Sequence, residues 1–242
     1  MPTDEPVLNR RKLLSLGTAA AAGLMAAACD SMGPSAARGL LQFAMARNET
    51  LERWLFRRGS RDRALRSARD AGKSMPTYFV SERLPMWDDA LRGTWSLEVT
   101  GAVRRPLRLT LDDLLKLRHR TQRVNHYCVE GWTAVATWTG VRISELARIA
   151  QLTPDAHYVD FESFDSGYHE SWDLDSALHP QTLVAYAMDG RFLNANHGAP
   201  ARIHSPIKLG YKSVKYLTRI VFSPVKTGGY WTDRGYEWHA GV

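Results

Sequence analysis

The sequence contains two cysteines, Cys29 and Cys128, among 242 residues. So few cysteines exclude a disulfide framework, a Cys-x-x-Cys zinc site and a Cys-x-x-Cys-His haem attachment site. The apolar run near the N-terminus is shorter than the about 20 residues that a transmembrane helix needs. The spacings that mark zinc fingers, basic zippers and RNP motifs are also missing.

The positive charge of the chain is unevenly distributed. The formal net charge is +7 and the isoelectric point is near 9.6. Much of the excess lies between residues 38 and 73, in an arginine-rich segment. Because no nucleic-acid motif accompanies this segment, we interpret it as a solvated helical arm and expect no nucleic-acid partner.

The N-terminus has the three parts of an export signal. Arg10 and Arg11 form a twin-arginine pair, an alanine-rich apolar run follows from Leu13 to Ala28, and small residues end it. Residues 1–29 are therefore predicted to be a signal of the Tat type, which implies a periplasmic location. Because Tat carries folded proteins, the signal also favours a protein that takes up a cofactor before export.

The same signal ends in a possible site of lipid attachment. Residues 25–29 read MAAAC and resemble a lipoprotein box, although Ala26 stands where leucine is usual. One acyl chain binds membranes weakly, whereas more than one chain gives a stable anchor. The prediction for Cys29 is therefore a lipid anchor.

The rest of the chain is predicted to divide into three parts. Residues 30–75 are expected to form a basic, mostly helical arm, because apolar residues recur there near a helical period. Residues 76–225 are expected to form the compact domain, and residues 226–242 an aromatic tail. Two interpretations of the tail stay open: it covers the mouth of an active site, or it simply packs against the domain.

The pattern of the compact domain predicts an α+β fold, because short strands and turns outnumber helices. Alternating apolar residues mark strands, and a Thr-x-x-Asp capping box marks a helix start. The predicted elements are strands at 95–99, 158–161, 183–188 and 214–222, helices starting at Thr110 and after Gly140, and a hairpin turn at Asp189–Gly190.

Cys128 is the one cysteine expected in the mature protein. An exposed free thiol is a liability in an oxidising compartment, and Cys128 lies in the polar segment NHYCVEGW (residues 125–132) rather than in a periodic apolar run. A soft, polarisable thiolate suits a redox metal. We therefore infer that Cys128 is a metal ligand.

A second segment, HGAPARIHSPIKLGYKSVK (residues 197–215), combines cations with glycines and hydroxyls and has no acidic residue. These groups are what a phosphate needs, although the Walker pattern is absent. Apolar residues between the cations are unlike a solvated loop, so the segment predicts an anion site. Its cationic and titratable residues are His197, Arg202, His204, Lys208, Lys212 and Lys215.

Taken together, the two segments resemble the sulfite-oxidase family of molybdopterin enzymes, which includes bacterial sulfite dehydrogenases and the periplasmic methionine-sulfoxide reductase catalytic subunit. The resemblance covers residues 76–225. Its motifs occur in family order: YFVSERLP, VTGAVRRPLRLTLDDLLKL, YCVEGW with WTGVRISEL, VDFESFDSGYHESWDL, HGAPAR and GYKSVKYL. The resemblance implies a sulfite-oxidase-type molybdopterin-binding domain of the α+β class, with mixed sheets and short helices.

The resemblance also implies roles for individual residues. Cys128 corresponds to the molybdenum ligand and is the expected catalytic residue. The phosphate of the molybdenum–molybdopterin cofactor (Moco) is expected to be neutralised by Arg202, Lys212 and Lys215. The expected cofactor-binding residues are Phe79, Val80, Ser163, His197, Arg202, Ser213, Val214 and Lys215.

The implied reaction is oxygen-atom transfer. Family sulfite oxidases have an arginine for the anionic substrate where this sequence has Ser81, and serine cannot offer a bidentate cation. Arg83 is a nearby residue that would replace it if it reached the site. We therefore predict reduction of an S- or N-oxide, with a sulfite dehydrogenase as the alternative. Electrons are expected from a haem-containing partner, either a membrane cytochrome b-type subunit or a cytochrome c.

Two other classes stay open at this stage. One is a metal-free thiol enzyme in which Cys128 is the nucleophile and His126 the base. The other is a non-catalytic protein that binds an anion. The first leaves the basic segment unexplained, and the second leaves Cys128 unexplained.

Overall fold

The computed structural model describes residues 35–57 and 75–242. The predicted export signal, Cys29 and part of the predicted arm lie outside these residues. Helix α1 (Ser35–Arg57) lies within the range that was expected to be helical. In the described ranges, no helix is both long and apolar enough to cross a membrane.

Residues 75–242 form a body of short helices and strands. Its helices are α2 (Asp89–Arg92), α3 (Leu111–Lys116), α4 (Ile143–Ala150) and α5 (Leu174–Ala177). Its strands are β1 (Ser96–Gly101), β2 (Leu107–Thr110), β3 (His119–Tyr127), β4 (Thr133–Arg142), β5 (Tyr158–Ser163), β6 (His169–Asp173), β7 (Leu183–Met188), β8 (Arg191–Phe192), β9 (Arg202–His204) and β10 (Leu217–Ser223).

The strands form two sheets. The first has the order β2-β1-β10-β5-β6, in which β1 and β10 are parallel and the other neighbours antiparallel. The second has the order β3-β4-β7-β8, with β9 also paired to β7, and all its pairs are antiparallel. Mixed sheets with short helices confirm the predicted α+β class.

Two local predictions are confirmed by backbone geometry. At the start of α3, Oγ1 of Thr110 accepts a hydrogen bond from the backbone N–H of Asp113, and the Asp113 carboxylate accepts one from the backbone N–H of Thr110. Between β7 and β8, Asp189 and Gly190 have φ of 50° and 77°. Positive φ at both central residues is the geometry of a type I′ hairpin turn.

Other parts of the fold differ from the sequence expectation. The last strand begins at Leu217, not at residue 214, because Tyr216 adopts a φ of 55° that interrupts an extended backbone. Strands β3 and β4 were not predicted, although buried and less buried positions alternate along β4. In β3, the inward positions include the polar residues Gln122 and His126, which are buried.

The C-terminal residues 226–242 are integrated into the body. The backbone N–H of Tyr230 donates to the carbonyl oxygen of His169 at 2.8 Å, and Gly229 forms a bridge with Glu170. Trp238 is 5% exposed. This segment therefore extends the edge of the first sheet beside β6.

Candidate active site

A cavity of about 400 Å³ brings together most of the residues that the sequence predicted for the site. Its volume lies within the about 300–1,000 Å³ range of ligand pockets. The predicted residues on its wall are Phe79, Val80, Cys128, His197, Arg202, Ser213 and Lys215. Ser163 and Val214 do not line it.

Cys128 begins the loop that joins β3 to β4. Its backbone N–H donates to the carbonyl oxygen of Trp132 at 3.0 Å, and its carbonyl accepts from Gly131 at 3.0 Å. Gly131 has a φ of 86°, a conformation that glycine adopts without steric cost. The turn therefore holds the half-buried thiol at the end of a paired strand, on the wall of the cavity.

Glu130 joins two aromatic side chains beside the thiol. Its Oε2 atom accepts hydrogen bonds from the hydroxyl of Tyr78 at 2.8 Å and from Nε1 of Trp132 at 3.0 Å. The same oxygen lies 4.0 Å from Sγ of Cys128. These hydrogen bonds, the one from Tyr78 first, lower the pKa of Glu130. The thiol therefore faces a carboxylate framed by two aromatic rings.

The segment that contains Phe79 and Val80 is anchored by Asp165. Its carboxylate accepts hydrogen bonds from the backbone N–H groups of Val80 at 2.7 Å and Ser81 at 2.8 Å, and from the Ser81 hydroxyl. Ser163 supports this anchor, because its hydroxyl accepts from the backbone N–H of Asp165 at 2.9 Å. The structure thus places Ser163 behind the cavity wall, where it orients Asp165.

Arg202 presents a buried guanidinium to the cavity. It lies on β9, is 4% exposed, and stacks over the Trp138 ring at 5.1 Å. Its protein partners are carbonyl oxygens of His197, Ile203 and Ser213, at 3.2–3.4 Å. Burial lowers the pKa of Arg202 to about 10, so it stays charged at neutral pH. Within the described residues no carboxylate pairs with it, which leaves this cation available to an anion.

Lys215 and His197 lie on the same side of the cavity as Arg202. The ammonium group of Lys215 donates to the carbonyl oxygen of Asn196 at 3.0 Å, and burial, then the charge of Arg202, lower its pKa to about 7. Gly198 allows this approach, because a Cβ there would lie 2.8 Å from Cβ of Lys215. Burial also lowers the pKa of His197.

The expectation that Lys212 binds the phosphate is wrong. Its ammonium lies 2.6 Å from Oε2 of Glu170, with both side chains fully buried, and Lys212 does not line the cavity. Lys208 is likewise buried and lies 3.2 Å from Oδ2 of Asp173. Both carboxylates come from β6, far from the basic segment in sequence. Two of its cations therefore stabilise the fold rather than bind a ligand.

Two buried histidines that the sequence analysis assigned to no cofactor role lie next to Arg202. The rings of His126 and His204 stack at 5.5 Å, and His204 stacks on Trp138 at 4.2 Å. Burial, then the charge of Arg202, lower the pKa of His126 to about 3, and burial lowers that of His204 as well. His126 lines the cavity. Its position two residues before Cys128 was the one signal in the sequence.

The C-terminal segment contributes to the wall of the cavity. Trp231 and Tyr236 line it, with their ring centroids 5.0 Å apart, and Tyr236 packs against Tyr211 at 5.3 Å. The tail therefore packs against the domain and also lines the cavity. In the sequence, the richness of this tail in tryptophan and tyrosine was the feature that indicated this role.

The residues that line the cavity fit molybdopterin. Buried polar atoms without a hydrogen-bond partner include Nδ1 of His126, Oγ of Ser213 and the hydroxyl of Tyr216, all from cavity-lining residues. Buried polar groups are normally hydrogen-bonded, so these atoms fit a polar ligand in the cavity. In the described residues, no cluster of three His, Cys, Asp or Glu side chains forms a metal site. The thiol of Cys128, on the wall of the same cavity, is the side chain that could bind the metal of such a ligand.

The geometry argues against the metal-free thiol enzyme. Burial first, and then the charge of Glu130, raise the pKa of the Cys128 thiol, which disfavours a free thiolate nucleophile. Among the described residues no imidazole is hydrogen-bonded to Cys128. A Cys–His pair needs that contact to activate the thiol.

Comparisons with known proteins agree with this arrangement. Residues 83–231 match the family model for the oxidoreductase molybdopterin binding domain. A relative from Azospira oryzae, named as subunit YedZ1 of a protein-methionine-sulfoxide reductase, is 40% identical over 210 residues, which are 82% of this chain and 75% of the relative. The protein-methionine-sulfoxide reductase catalytic subunit MsrP of Campylobacter jejuni is 30% identical, over 61% of this chain and 56% of its own.

A solved structure shares the fold. The sulfane dehydrogenase SoxCD from Paracoccus pantotrophus aligns with a TM-score of 0.52 and 23% identity, over 54% of this chain and 38% of its own. The chain spans about half the length of the MsrP relative. The family match covers more than half of the chain. The chain therefore belongs to the family of oxidoreductases with a molybdopterin binding domain, and it is a molybdopterin-dependent enzyme.

Proposed function

We propose that this enzyme reduces an organic S-oxide or N-oxide by oxygen-atom transfer, with Cys128 as the protein ligand of molybdenum. When it is bound, the molybdenum group supplies the two-electron chemistry of oxygen transfer. The protein supplies binding, orientation and electrostatics. Arg202 and Lys215 hold the anionic part of the cofactor, while the loop from Cys128 to Trp132 fixes the thiolate.

The observation that carries this proposal is the chemistry of the wall around Cys128. Next to the thiol lie a carboxylate, Glu130, and the rings of Tyr78 and Trp132. Arg83, which would have replaced the missing substrate arginine, is exposed and does not line the cavity. A negatively charged substrate would approach the Glu130 carboxylate without a compensating cation at that wall.

A neutral sulfoxide suits the same wall better. Sulfur makes favourable contacts with aromatic rings, and aromatic rings from Trp132, Trp231 and Tyr236 face the cavity. Both relatives are named as subunits of protein-methionine-sulfoxide reductases. These names support a methionine S-oxide as the first substrate to test.

The sulfite dehydrogenase reaction is the second candidate. The cations that line the cavity, Arg202 and Lys215, favour anions in general. They lie together with His197 and Ser213, however, in the segment that fits the cofactor phosphate. Once a phosphate neutralises them, no cation of the described cavity wall is left for sulfite. This argument places sulfite oxidation second.

The surroundings of the enzyme are also part of the proposal. We propose Tat export to the periplasm through Arg10 and Arg11, with a lipid anchor at Cys29. Changing both arginines to lysine should leave cofactor-loaded precursor in the cytoplasm, as seen in cell fractions. Cys29→Ala should release the protein from membranes. Export of the double variant at the normal level would contradict the Tat signal. Unchanged membrane attachment of Cys29→Ala would contradict the lipid anchor.

An electron donor is required, because the chain has no haem or cluster motif. We propose a haem-containing partner, since each turnover consumes two electrons. The name of the Azospira relative as a subunit supports an assembly of more than one chain.

The decisive experiment compares both directions of the reaction in the purified, loaded enzyme. A reduced viologen dye serves as electron donor with methionine sulfoxide, dimethyl sulfoxide or trimethylamine N-oxide, and ferricyanide serves as acceptor with sulfite. We expect turnover with an S-oxide or N-oxide and little with sulfite. Sulfite turnover that exceeds the reductase rate would overturn the proposed direction. Cys128→Ser is the control for turnover by free molybdenum.

A further inference from the structure

Two histidines of similar burial form a stack beside the cavity but face different surroundings. His126 lies on β3 and is 5% exposed, and His204 lies on β9 and is fully buried. Their rings stack at 5.5 Å. His126 lines the cavity, whereas His204 does not. His204 instead packs against Trp138, 4.2 Å away.

The side chain of His126 is held in one orientation. Trp132 lies 5.9 Å from its ring, on the cavity side, and His204 lies 5.5 Å away. At Gly210 a Cβ would lie 2.6 Å from Nε2 of His126. Gly210 therefore makes room for the imidazole ring of His126, because it has no side chain. The backbone of Gly210 in turn limits the movement of that ring.

One ring nitrogen of His126, Nδ1, is buried and has no hydrogen-bond partner in the protein. Buried polar atoms are normally satisfied, and this one belongs to a residue on the wall of the cavity that also contains Cys128. His126 and Cys128 are two residues apart at the end of β3, so they face the same side of the chain.

We propose that His126 is a further cofactor-binding residue, whose imidazole forms a hydrogen bond with the molybdopterin–metal group that Cys128 holds. A hydrogen bond at this place orients the group and tunes its electronic properties. The inference rests on membership of the molybdopterin family and on the cavity geometry. It does not depend on which substrate is reduced.

The test compares two variants of nearly equal volume. His126→Phe keeps the ring stack but removes both nitrogens, and His204→Phe does the same one ring further from the cavity. Three quantities are measured: the Mo(V) electron paramagnetic resonance spectrum, the midpoint potential of the molybdenum, and the molybdenum that the protein retains after dialysis against a protein that binds free molybdopterin. His126→Phe should shift the spectrum and potential and weaken retention about twofold to tenfold, the range of one neutral hydrogen bond. His204→Phe should leave the spectrum unchanged.

Two further variants complete the test. His126→Gln keeps a neutral donor and acceptor, so its spectrum should lie closer to that of the wild type than the spectrum of His126→Phe does. His126→Leu, which also removes both ring nitrogens, takes the place of His126→Phe if that variant does not fold. The inference is overturned if the variant without ring nitrogens holds molybdenum with unchanged spectrum and potential, if His126→Gln shifts them as far as that variant does, or if His204→Phe produces the same shift. Because no substrate is used, a failed substrate assay would not affect this result.

Discussion

The ammonium group of Lys212 lies 2.6 Å from Oε2 of Glu170, and neither side chain is exposed to solvent. The other oxygen of Glu170 accepts a hydrogen bond from the backbone N–H of Trp231 at 3.1 Å. One buried carboxylate thus joins the loop that carries Ser213 and Lys215 to the C-terminal segment that also lines the cavity. The positions of both segments therefore depend on Glu170 of β6.

Breaking this pair is expected to destabilise the protein strongly. Lys212→Met leaves the Glu170 carboxylate buried without its cation, which typically costs about 3–5 kcal/mol. The double variant Lys212→Met/Glu170→Gln removes both charges and should recover part of that loss. Urea unfolding of cofactor-free protein gives the free energies. A Lys212→Met variant with normal stability but poor cofactor retention would instead return Lys212 to a phosphate-binding role.

Replacing Arg202 is expected to affect cofactor retention more than the stability of the protein. The buried guanidinium has long hydrogen bonds to carbonyls and no carboxylate partner in the described residues. Arg202→Met therefore leaves no buried carboxylate without its cation, and it should cost the cofactor-free protein less stability than Lys212→Met does. It should weaken molybdopterin retention about tenfold to a hundredfold, because a charge-assisted hydrogen bond contributes about 1.5–3 kcal/mol. Thermal unfolding and pterin content are the measurements. Arg202→Lys is the control, since it keeps the charge without the planar fork.

Lys215 gives cofactor binding a pH dependence. Its pKa is near 7 without a bound anion, because burial and Arg202 disfavour the charge. A phosphate favours the charged form and raises this pKa, so binding above pH 7 takes up a proton and the affinity falls as pH rises, by up to about tenfold per pH unit. Calorimetry in two buffers of different ionisation enthalpy measures the uptake. Lys215→Met should abolish it, and an unchanged proton uptake would rule out Lys215 as its source.

Cys128→Ser should abolish turnover while most of the pterin stays bound. Serine is a harder and less polarisable ligand than a thiolate, whereas Arg202 and Lys215, which hold the anionic part, are unchanged. The measurement is activity per molybdenum atom, compared with the loaded fraction of Arg202→Met. If Cys128→Ser keeps near-normal activity per metal atom, then Cys128 is not the ligand.

The sequence predicted the parts of the site that depend on local chemistry. Cys128 is conspicuous because it stands alone in a polar segment, and the capping box at Thr110 and the turn at Asp189–Gly190 are set by neighbouring residues. Strand β3 was missed because its inward positions include buried polar side chains such as His126. An alternation of apolar residues, on which strand prediction depends, is therefore absent there.

The type of chemistry can be recognised from the amino-acid sequence alone: one soft thiolate, a cluster of cations, and the ordered motifs of the molybdopterin family. Which of the cations are available to a ligand depends on the folded structure. Lys208 and Lys212 are neutralised by Asp173 and Glu170, which lie 35 and 42 residues away in sequence. Arg202 meets no such carboxylate among the described residues. Charge pairing in a folded protein depends on distance in space, so the sequence of the basic segment does not distinguish these cations. They are distinguished by the packing of β6 against the basic segment.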